Sequence, residues 1–309
     1  MRAKKARLPM ISGILCLTAW LTTATADPAA TTPVQVIDDR QQTVSLAAPA
    51  ERIISLAPHI TELLFAVDAG NRIVGTVSFS DYPAAAADIP RIGSYKQLDM
   101  ESILALKPDL VVAWSSGNVQ AQVERLARLG IPIYYNDPQD FEQLALALER
   151  LGTLAGRAPQ GRAAAEDFRR DLRALEAQYG DRPRVTVFYQ IWDRPLMTLN
   201  DRHLVSRAIE ICGGHNLFGD LEALVPRLDR EVVLAADPEA ILGGGMGEDS
   251  PHWIEEWRRW PTLTATARDN LFFIPPSLLQ RATPRILEGT RWVCEALETA
   301  RDRRPETSE

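Results

Sequence analysis

Residues 101–113 and 231–243 of this 309-residue chain carry nearly the same pattern, 130 positions apart. They align without a gap. Glu101 falls on Glu231, Leu104 on Leu234, Ala105 on Ala235 and Pro108 on Pro238, and an acid follows each proline, Asp109 and Glu239. Each copy predicts a short helix opened by the glutamate, a turn marked by the proline, and an apolar run suited to a buried parallel strand. A unit that recurs once at a domain-sized interval points to two similar lobes; a solenoid would need shorter and more numerous repeats. Two α/β lobes facing one another leave a cleft, and the function is expected there.

The chain begins with Arg2, Lys4, Lys5 and Arg7, continues with an uncharged stretch over 11–23, and reaches Ala24-Thr25-Ala26 before Asp27. A basic start, a short apolar run and an Ala-x-Ala site predict a secretory signal peptide over 1–26, cleaved after Ala26, and a periplasmic location. The apolar run is too short to span a bilayer. Leu15 stands before Cys16 where a lipoprotein would carry a small residue, so a soluble exported protein is expected. Removing four basic residues and no acidic ones takes the net charge from −7 to −11. An acidic surface without a basic run argues against nucleic acid or anionic lipid as a partner. Two cysteines remain, Cys212 and Cys294. An even count in an exported chain favours a disulfide, with a metal pair or two free thiols as the alternatives.

Helical and strand patterns alternate, which predicts parallel sheets covered on both faces. Residues 159–180 differ: Ala165, Phe168, Leu172, Leu175 and Tyr179 recur at helical spacing among charged residues, and Gly180 stops the pattern. The expected organisation is a first α/β lobe over 27–156, a linking helix within 157–182, a second lobe over 183–300 and a frayed tail over 301–309. A monomer of two Rossmann-like lobes, with the ligand cleft between them, is the predicted architecture.

No Gly-x-Ser-x-Gly elbow, Walker loop or His-Glu-x-x-His is present, so no catalytic residue and no metal site is assigned. The glycines of 243–247 lack the spacing of a dinucleotide loop and predict a strand-to-loop turn. The four histidines, His59, His203, His215 and His252, are scattered; His59 stands out because it follows a strand end. Aromatics at strand ends say more. Trp114 closes the strand of the first repeat, Trp192 lies just past a strand at 185–188, Phe79 and Tyr82 follow one at 73–77, and Tyr95 follows Ile92-Gly93-Ser94. Ligands of parallel sheets bind at the carboxyl ends of the strands, and a set of aromatic faces there suits a large, partly apolar ring system.

Five motifs carry a family resemblance. They are Ser55-x-Ala57-Pro58-x-x-Thr61-Glu62-Leu63, Ser80-Asp81-Tyr82-Pro83, the run Leu106 to Val111, Cys212-Gly213-Gly214-x-Asn216, and Arg281-Ala282-x-Pro284-Arg285. In this order, across about residues 50–300, they resemble the class III substrate-binding proteins of ABC importers, in particular the members that carry vitamin B12 (cobalamin). The resemblance implies a binding protein with no cofactor that captures a corrinoid and delivers it to an inner-membrane permease. It implies ligand contacts by Trp114, by Phe79 where the family has a tyrosine, and by Tyr95 where it has a tryptophan. Met197 falls where a phenylalanine is expected, and the family's tryptophan near Val225 and Pro226 is absent. Arg281 is the expected charged contact, with Trp192 as a further aromatic. Cys212 and Cys294 match the family's disulfide, and Glu101 and Glu231 match the lobe-tip glutamates that meet permease arginines.

The wider family also carries ferric siderophores and haem. An anionic siderophore would want several cations in the cleft, where the sequence offers Arg281 and, second to it, Arg91. An exported metal enzyme on a chelatase-like fold is the alternative of a different class. It would need histidines and carboxylates converging on one point, a pattern this sequence lacks.

Overall fold

Two separate four-stranded parallel sheets, one per lobe, organise the computed structural model, which describes residues 33–244, 247–248 and 250–305. An antiparallel hairpin of β1 (Val34–Ile37) and β2 (Thr43–Leu46) leads in. The first lobe continues with β3 (Ile53–Ser55), α1 (Pro58–Ala66), β4 (Ile73–Thr76) and a small hairpin of β5 (Gly93–Ser94) and β6 (Gln97–Leu98). Then come α2 (Met100–Ala105), β7 (Leu110–Trp114), α3 (Gln120–Arg128), β8 (Ile133–Asn136) and α4 (Phe141–Leu154). Helix α5 (Ala158–Tyr179) joins the lobes. The second lobe has β9 (Val185–Gln190), α6 (Leu204–Ile211), β10 (Gly214–Asn216), α7 (Arg230–Ala236) and β11 (Ala240–Gly243). It ends with α8 (His252–Glu255), α9 (Thr264–Ala267), β12 (Leu271–Phe273), α10 (Pro276–Leu279) and α11 (Ile286–Asp302). Strand orders are β4-β3-β7-β8 and β10-β9-β11-β12.

The sequence repeat is a structural repeat. Its copies are α2 with β7 and α7 with β11, each a helix, a turn and a strand. Lys107 and Asp237, at equivalent positions before the two prolines, both take left-handed backbone with φ of 46° and 44°. That conformation ends the helix, and the following proline prevents its resumption. The acid after each proline then stitches the sheet together. Asp109 accepts the backbone N–H groups of Glu51 (2.8 Å) and Arg52 (2.9 Å), just ahead of β3. Glu239 accepts that of Thr186 (3.1 Å) in β9. Each repeat thereby fixes the register of its strand against the central neighbour.

Strands buried on both faces send alternate residues to opposite cores. Ile54, Val111, Ile103, Val123 and Leu126 fill one face of the first sheet. Phe188, Ile241, Val233 and Trp257 fill the corresponding face of the second. The remaining faces share a single apolar cluster that runs from Ile53 and Leu148 through Phe168 and Leu175 to Val187 and Leu297. Helix α5 is the bridge. A Cβ added to Gly152 would fall 2.7 Å from the Cα of Gly161, so α4 and α5 approach at backbone distance. Phe141 packs on Phe168, and Arg169 pairs with Glu142 and with Glu149 (2.6 Å). A strut glued along its length to α4, and lying against α6 and α11, leaves little freedom for hinge motion.

Cys212 and Cys294 form a disulfide, S–S 2.06 Å, between the end of α6 and α11. This excludes the free-thiol and metal-pair alternatives. The 82-residue separation makes the bridge worth about 4–5 kcal/mol in the chain-entropy account. The stretch from residue 301, expected to fray, is anchored at its start: α11 runs to Asp302, and Arg304 pairs with Glu239 at 2.9 Å. Residues 306–309, the signal peptide and its cleavage site lie outside the described residues.

Candidate functional site: an aromatic cavity between the lobes

A cavity of about 620 Å³ opens where the carboxyl ends of both sheets meet. Each strand of the first sheet delivers residues to it: Pro58 and His59 follow β3, Phe79 follows β4, Trp114 ends β7, and Asp137 follows β8. The second lobe contributes Ile191 after β9, Leu224 and Val225 after β10, and the segment from Leu279 to Ala282 after β12. This is the location expected for a ligand on parallel sheets.

Trp114 is the best-held aromatic. Its indole N–H donates to Asp137 Oδ1 at 3.1 Å, and its backbone N–H donates to Asn118 Oδ1 at 2.7 Å. Asn118 also donates to the carbonyls of Leu56 and Tyr95, both at 2.9 Å, so one amide ties three loops beneath the ring. Gly117 is required here, since a Cβ would lie 1.9 Å from the ring of Trp114. His59 meets Trp114 edge-on at 5.3 Å and Tyr95 lies tilted at 5.8 Å. Phe79 stands on left-handed backbone, φ 66°, with 71% of its surface exposed. Its ring therefore faces the cavity and solvent and not a core.

Five titratable side chains line the cavity: His59, Tyr95, Asp137, His203 and Arg281. Burial pushes the His59 pKa down to about 3, with the positive charge of Arg281 adding to the effect. Burial takes His203 down to about 4. His203 caps α6 by accepting the Val205 N–H on Nδ1 at 3.1 Å, so its remaining ring proton sits on Nε2. Both imidazoles are neutral at physiological pH.

Arg281 is occupied by protein partners. It donates to Glu62 (2.7 Å) and Asp81 (3.1 Å), and to the carbonyl of Phe79 (3.3 Å). Arg285 reaches Glu62 at 3.5 Å and lies 4.0 Å over the ring of Tyr82. Glu62 is almost wholly buried. Three motifs from distant parts of the chain therefore close on one another as a clasp between the lobes. Beneath it runs a buried chain of hydroxyls, Ser55 to Thr61 (2.8 Å), Thr61 to Thr76 (2.7 Å) and Thr76 to Ser80 (2.8 Å), which fixes the loop that carries Phe79.

The sequence matches the family described as Periplasmic binding protein over residues 53–278. The chain belongs to that family. It is 36% identical over 253 residues to the vitamin B12-binding protein of Vibrio cholerae, covering 82% of this chain and 91% of the relative. The vitamin B12-binding protein of Yersinia pestis is 34% identical over 251 residues, covering 81% and 88%. Among solved structures, the periplasmic vitamin B12 binding protein BtuF of Vibrio cholerae superimposes with a TM-score of 0.75 at 35% identity, covering 82% of this chain and 98% of that one. The haem-binding protein RhuT of Roseiflexus shares the fold, with a TM-score of 0.70 at 22% identity and coverage of 80% and 99%.

Of the residues expected at the ligand, Phe79, Tyr95, Trp114 and Arg281 line the cavity, while Trp192 and Met197 are not among its lining residues. Trp192 turns outward, 42% exposed, and packs edge-on against Trp253 at 5.2 Å. Met197 bridges between the backbones of Trp192 and Arg227, and Ile191 takes the wall position instead. Arg91 donates to the carbonyls of Ala86, Ile89 and Ser80, as a structural brace of its loop. Asp137, His203 and Gln280 were not anticipated. Asp137 was findable, since it follows the strand-like apolar run at 131–135 much as Trp114 follows the run at 110–113. Among the described residues no group of three histidines, cysteines or carboxylates could hold a metal ion, and no helix is long and apolar enough to cross a membrane.

Glu101 and Glu231 occupy equivalent positions in the first turns of α2 and α7, and both are exposed. Capping does not account for Glu101, because Asp99 already accepts the backbone N–H groups of Glu101 and Ser102.

Proposed function

We propose that this chain is a periplasmic receptor that captures a cobalamin-type corrinoid between its lobes and hands it to the permease of an ABC importer. The observation that carries the reading is the make-up of the cavity. It presents the aromatic faces of Phe79, Tyr95 and Trp114, and the one cationic lining residue among the described residues, Arg281, is already bound to Glu62 and Asp81. Flat, partly apolar rings with a rim of neutral amides match such a surface. Haem propionates and anionic siderophores would find no free cation among the described lining residues. The relatives named as vitamin B12-binding proteins favour the same ligand.

Phe79, Tyr95 and Trp114 are the proposed ring contacts, with His59 and Asp137 beside Trp114 in the cavity lining. Trp192 and Met197 are proposed as supports of the wall formed by Ile191. The receptor acts by binding, without catalysis and without a resident cofactor. Glu101 and Glu231 are proposed as the permease contacts, one per lobe, and their exposed carboxylates would set docking register more than affinity. Secretion by the N-terminal segment and action as a monomer complete the proposal.

Calorimetric titration of the purified protein with cyanocobalamin, haemin and a ferric siderophore tests the reading. The expected result is saturable one-to-one binding of cyanocobalamin and none of the others. Tight binding of haemin or the siderophore with no heat from cyanocobalamin would reverse the assignment.

A further inference from the structure

Charge in the cavity is unbalanced at one point. Arg281 is answered by Glu62 and Asp81, and neither His59 nor His203 carries a positive charge at neutral pH. Asp137 is left. Its Oδ1 accepts the Trp114 indole N–H, a neutral donor, at 3.1 Å. Its own backbone N–H donates to Asp39 Oδ2 at 2.7 Å, and Asp39 in turn accepts from Arg150 at 2.9 Å. That second carboxylate anchors Asp137 from behind, in the segment that leaves β8, while Arg150 compensates Asp39 and not Asp137. Among the described residues no cation lies within ion-pair distance of the Asp137 side chain. The carboxylate is thus held rigidly beside the principal aromatic platform, partly shielded from water, with its charge facing the ligand space.

We propose that Asp137 is a specificity-determining residue: its fixed negative charge at the edge of Trp114 rejects ring ligands that carry a carboxylate there and accepts hydrogen bonds from those that carry an amide. This rests on the corrinoid reading above and extends it from shape to charge. Two like charges held a few ångströms apart in a partly shielded site repel far more than they would in water. An amide N–H placed at the same point gains a charge-assisted hydrogen bond. A single group thereby favours one ligand and penalises its acidic counterpart, which is a stronger filter than either effect alone.

Cyanocobalamin and its monocarboxylic acids, in which one peripheral amide is hydrolysed to a carboxylate, share a shape and differ by one charge. Calorimetry on the intact protein should find at least one of the acids bound about tenfold more weakly than cyanocobalamin, a difference of about 1.4 kcal/mol. Asp137→Asn retains an acceptor for the Trp114 N–H and should close that gap to within about twofold. Gln139→Glu, which adds a carboxylate to the same wall, should widen it. The ratio of the two affinities is the readout, because a general loosening of the site would weaken both ligands together. Wild-type protein that binds cyanocobalamin and every acid equally, or an unchanged gap in Asp137→Asn, overturns the role of Asp137 while leaving the corrinoid reading intact. Binding of haemin in place of cyanocobalamin overturns both.

Discussion

The clasp between the lobes can be tested as a unit. Glu62 is 4% exposed and accepts from Arg281 at 2.7 Å and from Arg285 at 3.5 Å. Arg281→Met removes the closer cation while keeping most of the side-chain volume. Stripping one partner from a buried pair costs about 3–5 kcal/mol, because the remaining charge is left uncompensated in a poorly solvated site. Arg285 remains beside Glu62, so the lower end, about 3 kcal/mol, is expected here. The pair with Asp81, whose side chain is largely exposed, adds little. Glu62→Gln alone should destabilise by a smaller amount, since a neutral amide still accepts from Arg281. The double variant Glu62→Gln/Arg281→Met leaves no buried charge from this pair and should recover most of the loss, giving a coupling of about 2 kcal/mol between the two positions. Urea unfolding followed by circular dichroism and tryptophan emission measures all four proteins. An Arg281→Met variant within about 0.5 kcal/mol of the parent, or strictly additive single changes, would refute the clasp.

Trp114→Ala should weaken cyanocobalamin binding by about ten- to a hundredfold, taking the value of stacking a flat ring on an aromatic as about 1–3 kcal/mol; calorimetry showing an unchanged affinity would remove Trp114 from the site. His59 and His203 have pKa values lowered to about 3 and about 4, so the unfolded chain takes up protons at these positions below about pH 6.5 while the folded one does not. Stability should therefore fall as pH drops from about 6.5 toward 4, and His59→Gln should flatten that decline in urea titrations; an equally steep decline in the variant would show that His59 is not its source. Replacing both Glu101 and Glu231 with Ala should abolish stimulation of the cognate transporter's ATPase while leaving cyanocobalamin affinity within about twofold. Full stimulation by that variant would return both residues to a merely local role in their helices.

The architecture was legible because it follows from local pattern. The repeat gave two lobes, and the helical spacing of Phe168, Leu172 and Leu175 gave the helix that joins them. Helix α4 went unrecognised although Leu144, Leu148 and Leu151 carry the same spacing and are all buried. At the cavity, placement was legible where one element decides it. Trp114, Phe79 and Tyr95 each follow a strand end, and the carboxyl edge of a parallel sheet faces the cleft whatever the rest of the chain does.

Placement was not legible where it depends on a partner far away in the chain. Trp192 also follows a strand, but the backbone bridges from Met197 to Trp192 and Arg227 fold its segment into a flap, and alternation along that flap puts Ile191 on the cavity wall and Trp192 outside. Arg281 was expected to hold a ligand. At a cleft, one arginine can be a hook for an anion or a bolt between lobes, and the choice is made by Glu62, more than 200 positions earlier, which is buried with no other close cation than Arg285. Once bolted, Arg281 no longer offers a free charge. Its Nη2 also holds the carbonyl of Phe79, so the residue expected as a charged contact also fixes the loop that carries that ring. The charge that faces the cavity with no cation paired to it among the described residues is then the opposite one, on Asp137.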